Sequence, residues 1–243
     1  MRKIKEEIDA LQQEIQAHRN LTDEEKMQLR MYYMVGLTYT SNALSGSTLT
    51  LAETQRLLED GMTPAGKQVK DTLAALGHQD ACGYMFSLSK EQQIQEKQIR
   101  EMHHRLLRLV DLSAAGIYRQ QKSFVNGSVY PTAIPEKIPG LMSNLLRHLQ
   151  RERAAMHPVT FAAKLHKKFS YIYPFSSGNG RMARLLLNLA LLQAGYPPLI
   201  LPPSCRLEYA VKLEKAHKTP YVFAEFIAVQ VLRAQQDYLR LLK

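Results

Sequence analysis

The chain has 243 residues, 45% of them hydrophobic, and a formal net charge of +10 at pH 7, which favours an anionic partner such as a nucleotide, a nucleic acid or an acidic protein surface. Two distant cysteines, Cys82 and Cys205, indicate neither a disulfide framework nor a metal site. The most apolar stretch, residues 185–194, is about half as long as a membrane-spanning helix. Because the charged N-terminus also lacks the apolar segment of a secretory signal, we expect a cytoplasmic protein without a membrane span.

Helical patterns dominate the chain on both sides of one irregular segment. Apolar residues recur every three or four positions, which is the spacing of a helix with one buried face. Three capping boxes, in which a hydroxyl residue is followed three positions later by Glu or Gln, begin at Thr22, Thr50 and Ser89. The predicted helices cover residues 4–19, 22–35, 94–118, 139–156, 158–171, 179–194, 204–218 and 221–242.

The irregular segment covers residues 121–131. Two short runs of strand-forming residues, 123–125 and 128–130, flank Asn126-Gly127, which is the strongest short-range signal for a hairpin turn. The sequence therefore predicts an all-α fold with one exposed β-hairpin.

The most informative segment, residues 173–184, reads YPFSSGNGRMAR and leads directly into an apolar helix. Gly178 and Gly180 allow successive backbone N–H groups to turn towards an anion, and the new helix directs its positive dipole end to the same point. Arg181 and Arg184 are three positions apart, so both guanidinium groups can bind phosphate oxygens on one helix face. The arrangement suits a di- or triphosphate. A Gly-Asn-Gly turn is common, however, and a purely structural turn stays open on this evidence alone.

This segment resembles the Fic signature His-Pro-Phe-x-Asp/Glu-Gly-Asn-Gly-Arg-x-x-Arg. Three other segments also resemble parts of Fic proteins. Residues 157–166 match the helix before the motif, and residues 195–198 match the turn after it. Residues 123–130 match the flap, a hairpin that pairs with a target peptide. The resemblance to the Fic family covers most of the chain.

The resemblance implies a Fic-type helical bundle in which the flap is the exposed hairpin. It also implies an N-terminal helical region over residues 1–95, with a degenerate regulatory helix at about 36–46, and a Fic core over 96–243, packed together as one unit. In many Fic proteins that regulatory helix carries a glutamate that pairs with the second motif arginine. Here Ser45 stands in its place, so we expect Arg184 to have no inhibitory partner.

The resemblance also implies a chemistry that this chain has lost in part. Fic proteins typically transfer AMP from ATP to a protein hydroxyl, with a motif histidine taking the proton and a motif acid holding Mg²⁺. Tyr173 and Ser177 occupy those two positions. A phenol has a reference pKa of about 10 and therefore stays protonated at pH 7. Loss of a general base lowers the reaction rate by a factor of about 10²–10⁴. Ser177 offers no charge to Mg²⁺, so the metal would depend on ATP oxygens and water.

The resemblance assigns nucleotide contacts and target contacts to separate residues. The expected contacts with ATP or another nucleotide are Ser177, Gly178, Asn179, Gly180, Arg181, Arg184 and, near the adenine, Tyr209. Tyr209 is also spaced with Val211 and Leu213 for ordinary packing, so both roles stay open. The flap residues expected to contact a protein target are Phe124, Val125 and Val129. The histidines His103 and His104 receive no function.

Three functions compete. We favour a degenerate Fic protein that binds a nucleotide, and a protein partner at the flap, without efficient transfer. The alternative is an active but atypical nucleotidyltransferase, in which Tyr173 positions the acceptor or is itself modified. The third is a nucleic-acid binder that uses the basic residues between Arg147 and Lys168, but no aromatic stacking set, recognition helix or zinc module supports it, so nucleic acid is not an expected partner.

Overall fold

The structure, a computed structural model, describes residues 1–242, in which it contains ten α-helices, two short 3₁₀ turns and no β-strand. The helices are α1 (Arg2–Ala17), α2 (Asp23–Leu44), α3 (Leu51–Glu59), α4 (Val69–Ser87), α5 (Glu96–Leu107), α6 (Ile138–Arg153), α7 (Pro158–Ile172), α8 (Asn179–Gln193), α9 (Arg206–Lys215) and α10 (Tyr221–Leu241). The all-α prediction is confirmed. None of these helices is both long enough and apolar enough to cross a bilayer.

Helix α8 lies at the centre of the fold. Every residue from Met182 to Leu191 is buried, so this helix is enclosed on all sides rather than on one face. Helices α7, α4 and α2 pack directly against it, and α6 and α10 cover α7. The motif, residues 173–184, leads into this central helix and is therefore attached to an element that is enclosed on all sides.

The N-terminal region and the rest of the chain share one hydrophobic core. Ile8 of α1, Leu37 of α2 and Val231 of α10 belong to the same buried cluster as the α7–α8 pair. A second, small cluster of Leu49, Leu57 and Ala75 lies beneath α3. We propose that the segments before and after residue 95 form a single packed unit, because the main cluster draws on both.

Two of the three predicted capping boxes are confirmed. At the start of α2, Thr22 Oγ1 accepts a hydrogen bond from the Glu25 N–H at 3.2 Å, and the Glu25 carboxylate accepts from the Thr22 N–H at 2.7 Å. Thr50 forms the same reciprocal pair at the start of α3. The prediction of a capping box at Ser89 is wrong, because the Ser89 N–H donates to the Phe86 carbonyl in the turn that ends α4. The glutamine Gln95, six residues later, caps α5 instead.

Helix α2 continues well beyond its predicted end near residue 35 and includes most of the proposed regulatory helix. The sequence pattern concealed this because Thr38, Ser41 and Asn42 are polar yet buried, so the segment has no simple apolar face. Gly36 lies within the helix, where the Ile200 side chain comes so close that a Cβ atom would meet it at 2.5 Å. The predicted helix over 94–118 is in turn too long, since α5 ends at Leu107.

The predicted β-hairpin is wrong. Residues 123–130, called the flap loop below, form a turn without strands. The turn itself is present, with Gly127 at φ 81° and the Ser128 N–H donating to the Val125 carbonyl at 3.1 Å. A two-stranded hairpin is marginal without further strands, and here the neighbouring polar groups bond elsewhere. The Val129 N–H donates to Glu214 Oε1 at 2.9 Å, outside the loop.

Candidate functional site

The motif loop connects α7 to α8 in a defined conformation. Tyr173 adopts left-handed backbone angles, φ 52° and ψ 60°, and Gly178 caps α8 at φ 75°. The Asn179 side chain closes the loop, since its Oδ1 accepts from the Phe175 N–H at 2.9 Å and its Nδ2 donates to the Phe175 carbonyl at 2.7 Å. No side chain caps the start of α8. The positive end of the helix dipole is therefore left for a ligand.

A buried histidine supports this loop from below. His103 Nε2 lies 3.1 Å from the Ser177 carbonyl, and its Nδ1 accepts from the Gly116 N–H at 2.9 Å. Because a carbonyl only accepts, the proton resides on Nε2. The ring also stacks on Phe175 at 3.6 Å, and burial lowers the pKa of His103 to about 4. His103 is thus a neutral support for the loop, which the sequence did not predict because Ser177 lies 74 positions away.

Arg119 joins the motif loop to both ends of the segment that carries the flap loop. Its side chain, only 5% exposed, donates to the Tyr173 carbonyl at 2.8 Å and to the Gln121 carbonyl at 2.7 Å. It also donates to the Ala133 carbonyl, and its backbone N–H donates to the Pro174 carbonyl at 3.0 Å. One buried guanidinium group therefore fixes where the flap loop stands relative to Tyr173. Sequence reasoning missed this residue as well.

An Arg119→Met substitution should lower the free energy of unfolding by about 2–4 kcal/mol, because several buried carbonyl groups lose their donor. Urea denaturation measures the loss, and limited proteolysis should show faster cleavage in the flap loop. Arg147→Met is the matched control, since Arg147 is exposed and bonds only within its own helix. Equal stability of the two variants would contradict the anchoring role.

A cavity of about 290 Å³ opens between the flap loop, the motif and α9. The predicted residues that line it are Val125, Tyr173, Asn179, Gly180, Arg184 and Tyr209. Ser177, Gly178 and Arg181 lie in the adjoining motif rather than in the cavity wall. Phe124 and Val129 lie on the outer side of the flap loop, 80% and 86% exposed. The structure thus brings most of the predicted nucleotide contacts together and keeps two of the predicted target contacts at the surface.

Arg184 is bound by the end of α2. It is only 6% exposed, and its Nε donates to Ser41 Oγ at 2.9 Å. Its Nη2 donates to the Ser41 carbonyl at 2.7 Å and to Ser45 Oγ at 2.8 Å. These partners are neutral serine groups rather than a glutamate, and the sequence analysis did not predict their contact with Arg184. Because α2 extends to Leu44, Ser41 and Ser45 lie one turn apart and face the same guanidinium group; they are called the serine pair below.

The charges of the two motif arginines are not balanced by carboxylates. Arg181 Nη1 donates to the Asn42 side-chain oxygen at 3.2 Å, and the serine pair is likewise neutral. Burial and the neighbouring Arg184 lower the pKa of Arg181 to about 10, which still leaves it charged at pH 7. A buried cation, Arg184, and a partly buried one, Arg181, have neutral partners beside an uncapped helix N-terminus, and this arrangement favours the binding of an anion.

Tyr209 both lines the cavity and packs in the core. Its hydroxyl lies 2.8 Å from His166 Nε2, and its ring packs against Phe223 and Phe226. The Arg184 guanidinium group lies over the same ring, 6.0 Å from its centre. Burial lowers the pKa of His166 to about 3, so this histidine is neutral. The two roles that the sequence left open for Tyr209 are thus compatible.

Three titratable residues that the sequence analysis did not single out also line the cavity: Lys167, Glu214 and His217. Glu214 accepts the Val129 N–H, and the His217 ring stacks on Tyr130 at 4.0 Å. These contacts hold the flap loop against the end of α9. Burial and the nearby Lys167 lower the pKa of His217, so its ring is neutral at pH 7.

The donor set around the motif does not fit Mg²⁺. Position 177 offers a neutral, exposed hydroxyl, whereas Mg²⁺ prefers carboxylate and phosphate oxygens. Within residues 1–242, no three His, Cys, Asp or Glu side chains form a group that could hold a metal ion. The motif itself therefore contributes two cations, Arg181 and Arg184, and no carboxylate.

The Fic/DOC family matches residues 93–191 of this chain. Protein adenylyltransferase Fic of Drosophila ananassae is 38% identical over 193 residues, which make up 78% of this chain and 38% of that protein. The protein of the same name in Drosophila melanogaster is also 38% identical, over 39% of its length. The chain thus spans about two fifths of the length of the curated relatives it matches.

Solved structures extend the similarity to almost the whole chain. A fragment of Fic-1 from C. elegans covers 98% of this chain with a TM-score of 0.88 and 29% identity, and the match takes in 71% of the fragment. A variant of that fragment is 30% identical, with the same coverage. A Fic domain containing signaling protein from Bacteroides thetaiotaomicron matches with a TM-score of 0.88 and 25% identity, over 98% of this chain and 97% of its own.

Two more distant structures share the fold. BepC from Bartonella tribocorum, with bound AMPPNP, is 15% identical with a TM-score of 0.50, over 71% of this chain and 90% of its own. IbpAFic2, covalently tethered to Cdc42, is 16% identical with a TM-score of 0.56, over 95% of this chain and 70% of its own.

Proposed function

The chain belongs to the Fic/DOC family, and from that premise we propose that it binds a nucleotide but is impaired in transferring AMP to other proteins. One observation carries the proposal. The two phosphate-binding arginines are retained without acidic partners, while a phenol and a hydroxyl occupy the positions of the base and the metal-binding acid. Binding and chemistry have thus been separated within one motif.

The geometry supports nucleotide binding in three ways. The cavity volume of about 290 Å³ lies near the lower end of small-molecule sites, which measure about 300–1,000 Å³. Its wall includes Gly180 at the start of α8, and therefore the positive end of the helix dipole. Finally, the serine pair offers Arg184 only neutral acceptors, with which an anionic phosphate competes well because charge-assisted hydrogen bonds are about twice as strong as neutral ones. A nucleotide also occupies the distant BepC structure.

The same residues support impaired transfer. Tyr173 presents a phenolic O–H where the motif histidine would present a basic ring nitrogen, so position 173 supplies no general base for an acceptor hydroxyl. Arg181 and Arg184 offset part of the negative charge on the phosphates. Asn179, His103 and Arg119 keep the motif loop in place, so the scaffold for orienting phosphates is retained where base catalysis is not.

A protein partner at the flap loop is part of the proposal. Phe124 and Val129 expose large apolar side chains, although neither is needed for packing. Exposed apolar side chains beside a ligand site are typical of an interaction surface. The tethering of IbpAFic2 to Cdc42 is a precedent in a protein of this fold.

Isothermal titration of the purified chain with ATP tests the binding. We expect binding that an Arg184→Met variant weakens about 10-fold to 100-fold, because each charge-assisted hydrogen bond contributes about 1.5–3 kcal/mol. Arg206→Met is the matched control, since Arg206 is exposed and outside the cavity wall. Circular dichroism confirms that both variants are folded. Failure of the natural chain to bind ATP, or equal affinity of Arg184→Met, would refute the proposal.

Incubation of the natural chain with α-labelled ATP and a cell lysate tests the impaired transfer. We expect no label on lysate proteins, because position 173 carries no base. Multiple-turnover labelling of lysate proteins would show that the chain is an active transferase with another base.

A further inference from the structure

The segments that surround the cavity carry very few acidic residues. Residues 112–135, which include the flap loop, contain no Asp or Glu, and neither do residues 153–207, which include α7, the motif and α8. Helix α9 contributes two carboxylates, Glu208 and Glu214, and Glu214 already accepts the Val129 N–H. These segments therefore offset little of the charge of the cations that stand among them.

Four lysines stand at the mouth of the cavity rather than at the motif. Lys167 of α7 lines the wall, and Lys168 follows it at the surface. Lys215 and Lys218 are exposed at the end of α9, next to the wall residue His217. Within residues 1–242, none of these four lysines, called the lysine rim below, forms an ion pair with a carboxylate.

The lysine rim favours an anion for the same reason that its members repel one another. Burial and the neighbouring Lys168 lower the pKa of Lys167, and Lys167 in turn lowers the pKa of His217. A negative charge placed between α7 and α9 would stabilise the charged lysines. The phosphates of a nucleotide have Arg181 and Arg184 at the motif, so the lysine rim is left for a second anionic group.

Exposed apolar side chains lie beside the lysine rim. Leu207 and Val211 of α9 are 77% and 40% exposed and lie one helical turn apart. Val211 is one turn from Glu214, which bonds to the flap loop that carries the exposed Phe124 and Val129. Three of these four apolar side chains are aliphatic. They suit a protein partner better than a nucleic acid, whose bases stack on aromatic rings.

We propose that the lysine rim and the apolar side chains beside it bind an acidic, partly apolar segment of a protein partner. Carboxylates of that segment pair with the lysine rim, and its apolar side chains pack on Leu207 and Val211. Complementary charges select one partner from others of similar shape and speed its association. The inference names the chemistry of the partner and rests on the partner site proposed at the flap loop.

Fluorescence anisotropy with a labelled synthetic peptide, in which pairs of glutamates alternate with single leucines, tests this inference. We expect it to bind at least about 10-fold more tightly than a peptide with glutamine in place of every glutamate. Added salt should reduce the difference, because it screens exposed charges. A Lys215→Glu, Lys218→Glu variant should bind the glutamate peptide at least about 10-fold more weakly. The matched control is Lys3→Glu, Lys70→Glu, which changes the net charge equally at exposed positions of α1 and α4 and should bind as the natural chain does.

Two results would refute the inference directly. Equal binding of the glutamate and glutamine peptides would show that the surface does not select acidic segments, and an equal loss in both double variants would show that only the net charge matters. A labelled thymidine oligonucleotide tests the rival class of partner. If it binds more tightly than the glutamate peptide and loses its affinity in Lys215→Glu, Lys218→Glu, the lysine rim is a nucleic-acid site and the inference falls.

Titration of the same variant with ATP separates this inference from the proposed function. We expect unchanged ATP affinity, because Lys215 and Lys218 lie outside the cavity wall. A loss of ATP affinity as large as the loss of peptide affinity would mean that the lysines attract the nucleotide, which overturns the inference. If the natural chain binds the glutamate peptide but not ATP, the nucleotide proposal fails and this inference stands. A Phe124→Ser, Val129→Ser variant with full peptide affinity would remove the flap loop alone from the partner site.

Discussion

A Tyr173→His, Ser177→Glu double variant should transfer AMP from ATP to lysate proteins at least about 100-fold faster than the natural chain. The imidazole has a reference pKa of about 6.5, so it can take the acceptor's proton at pH 7. Such a general base raises the reaction rate by a factor of about 10²–10⁴. Histidine also tolerates left-handed backbone angles at position 173 better than most side chains do. The glutamate supplies a carboxylate to Mg²⁺, so the gained activity should disappear in EDTA.

The structure accommodates both changes. Position 177 is exposed, so a glutamate needs no buried space there, and the bond from His103 reaches the backbone carbonyl, which the substitution retains. Transfer of label from α-labelled ATP measures the gain. The matched control is Tyr171→His, Ser176→Glu, which introduces the same side chains at neighbouring exposed positions and should give no gain. A folded, ATP-binding double variant without transfer would show that the scaffold lacks more than its base and its acid.

The motif could be predicted because its parts are contiguous. The start of α8 at Asn179, the turn at Gly178 and the positions of Arg181 and Arg184 all follow from twelve adjacent residues. The residues that hold the motif in place are different. His103 and Arg119 act on carbonyl groups 74 and 54 positions away, and backbone carbonyls leave no trace in a sequence pattern. Such supports become visible only in the folded chain.

The wrong hairpin prediction and the unpredicted contact of Ser45 have a common cause. The Asn126-Gly127 signal correctly marked a turn, but strands also need partners, and the Val129 N–H bonds to Glu214. Likewise, the sequence analysis considered only that the Ser45 side chain lacks the charge of a glutamate, and it therefore assigned Ser45 no contact with Arg184. Its position at the end of a longer α2 brings it to Arg184 nonetheless. In both cases a tertiary contact decided the outcome.

A Ser45→Glu substitution should weaken ATP binding about 5-fold to 150-fold, the usual range of coupling between two competing sites. The new carboxylate would face Arg184, which now bonds only to neutral groups at this end of α2, and a charged partner competes with phosphate far better than a hydroxyl does. The change also places a negative charge near the C-terminus of α2, which destabilises the helix by about 0.3–1 kcal/mol. This loss is smaller than the free energy gained when the carboxylate pairs with a buried arginine.

Titration calorimetry of Ser45→Glu, Ser45→Gln and Ser45→Ala separates charge from size. Glutamine has the length of glutamate without its charge, so it should affect ATP affinity far less, while alanine removes one of the three bonds that hold Arg184 and should strengthen binding. Equal weakening by glutamine and glutamate would mean that bulk at the cavity wall, rather than competition for Arg184, limits access. Weaker binding by the alanine variant would contradict competition more directly, because Ser45 would then help to position the arginine for the nucleotide rather than hold it back.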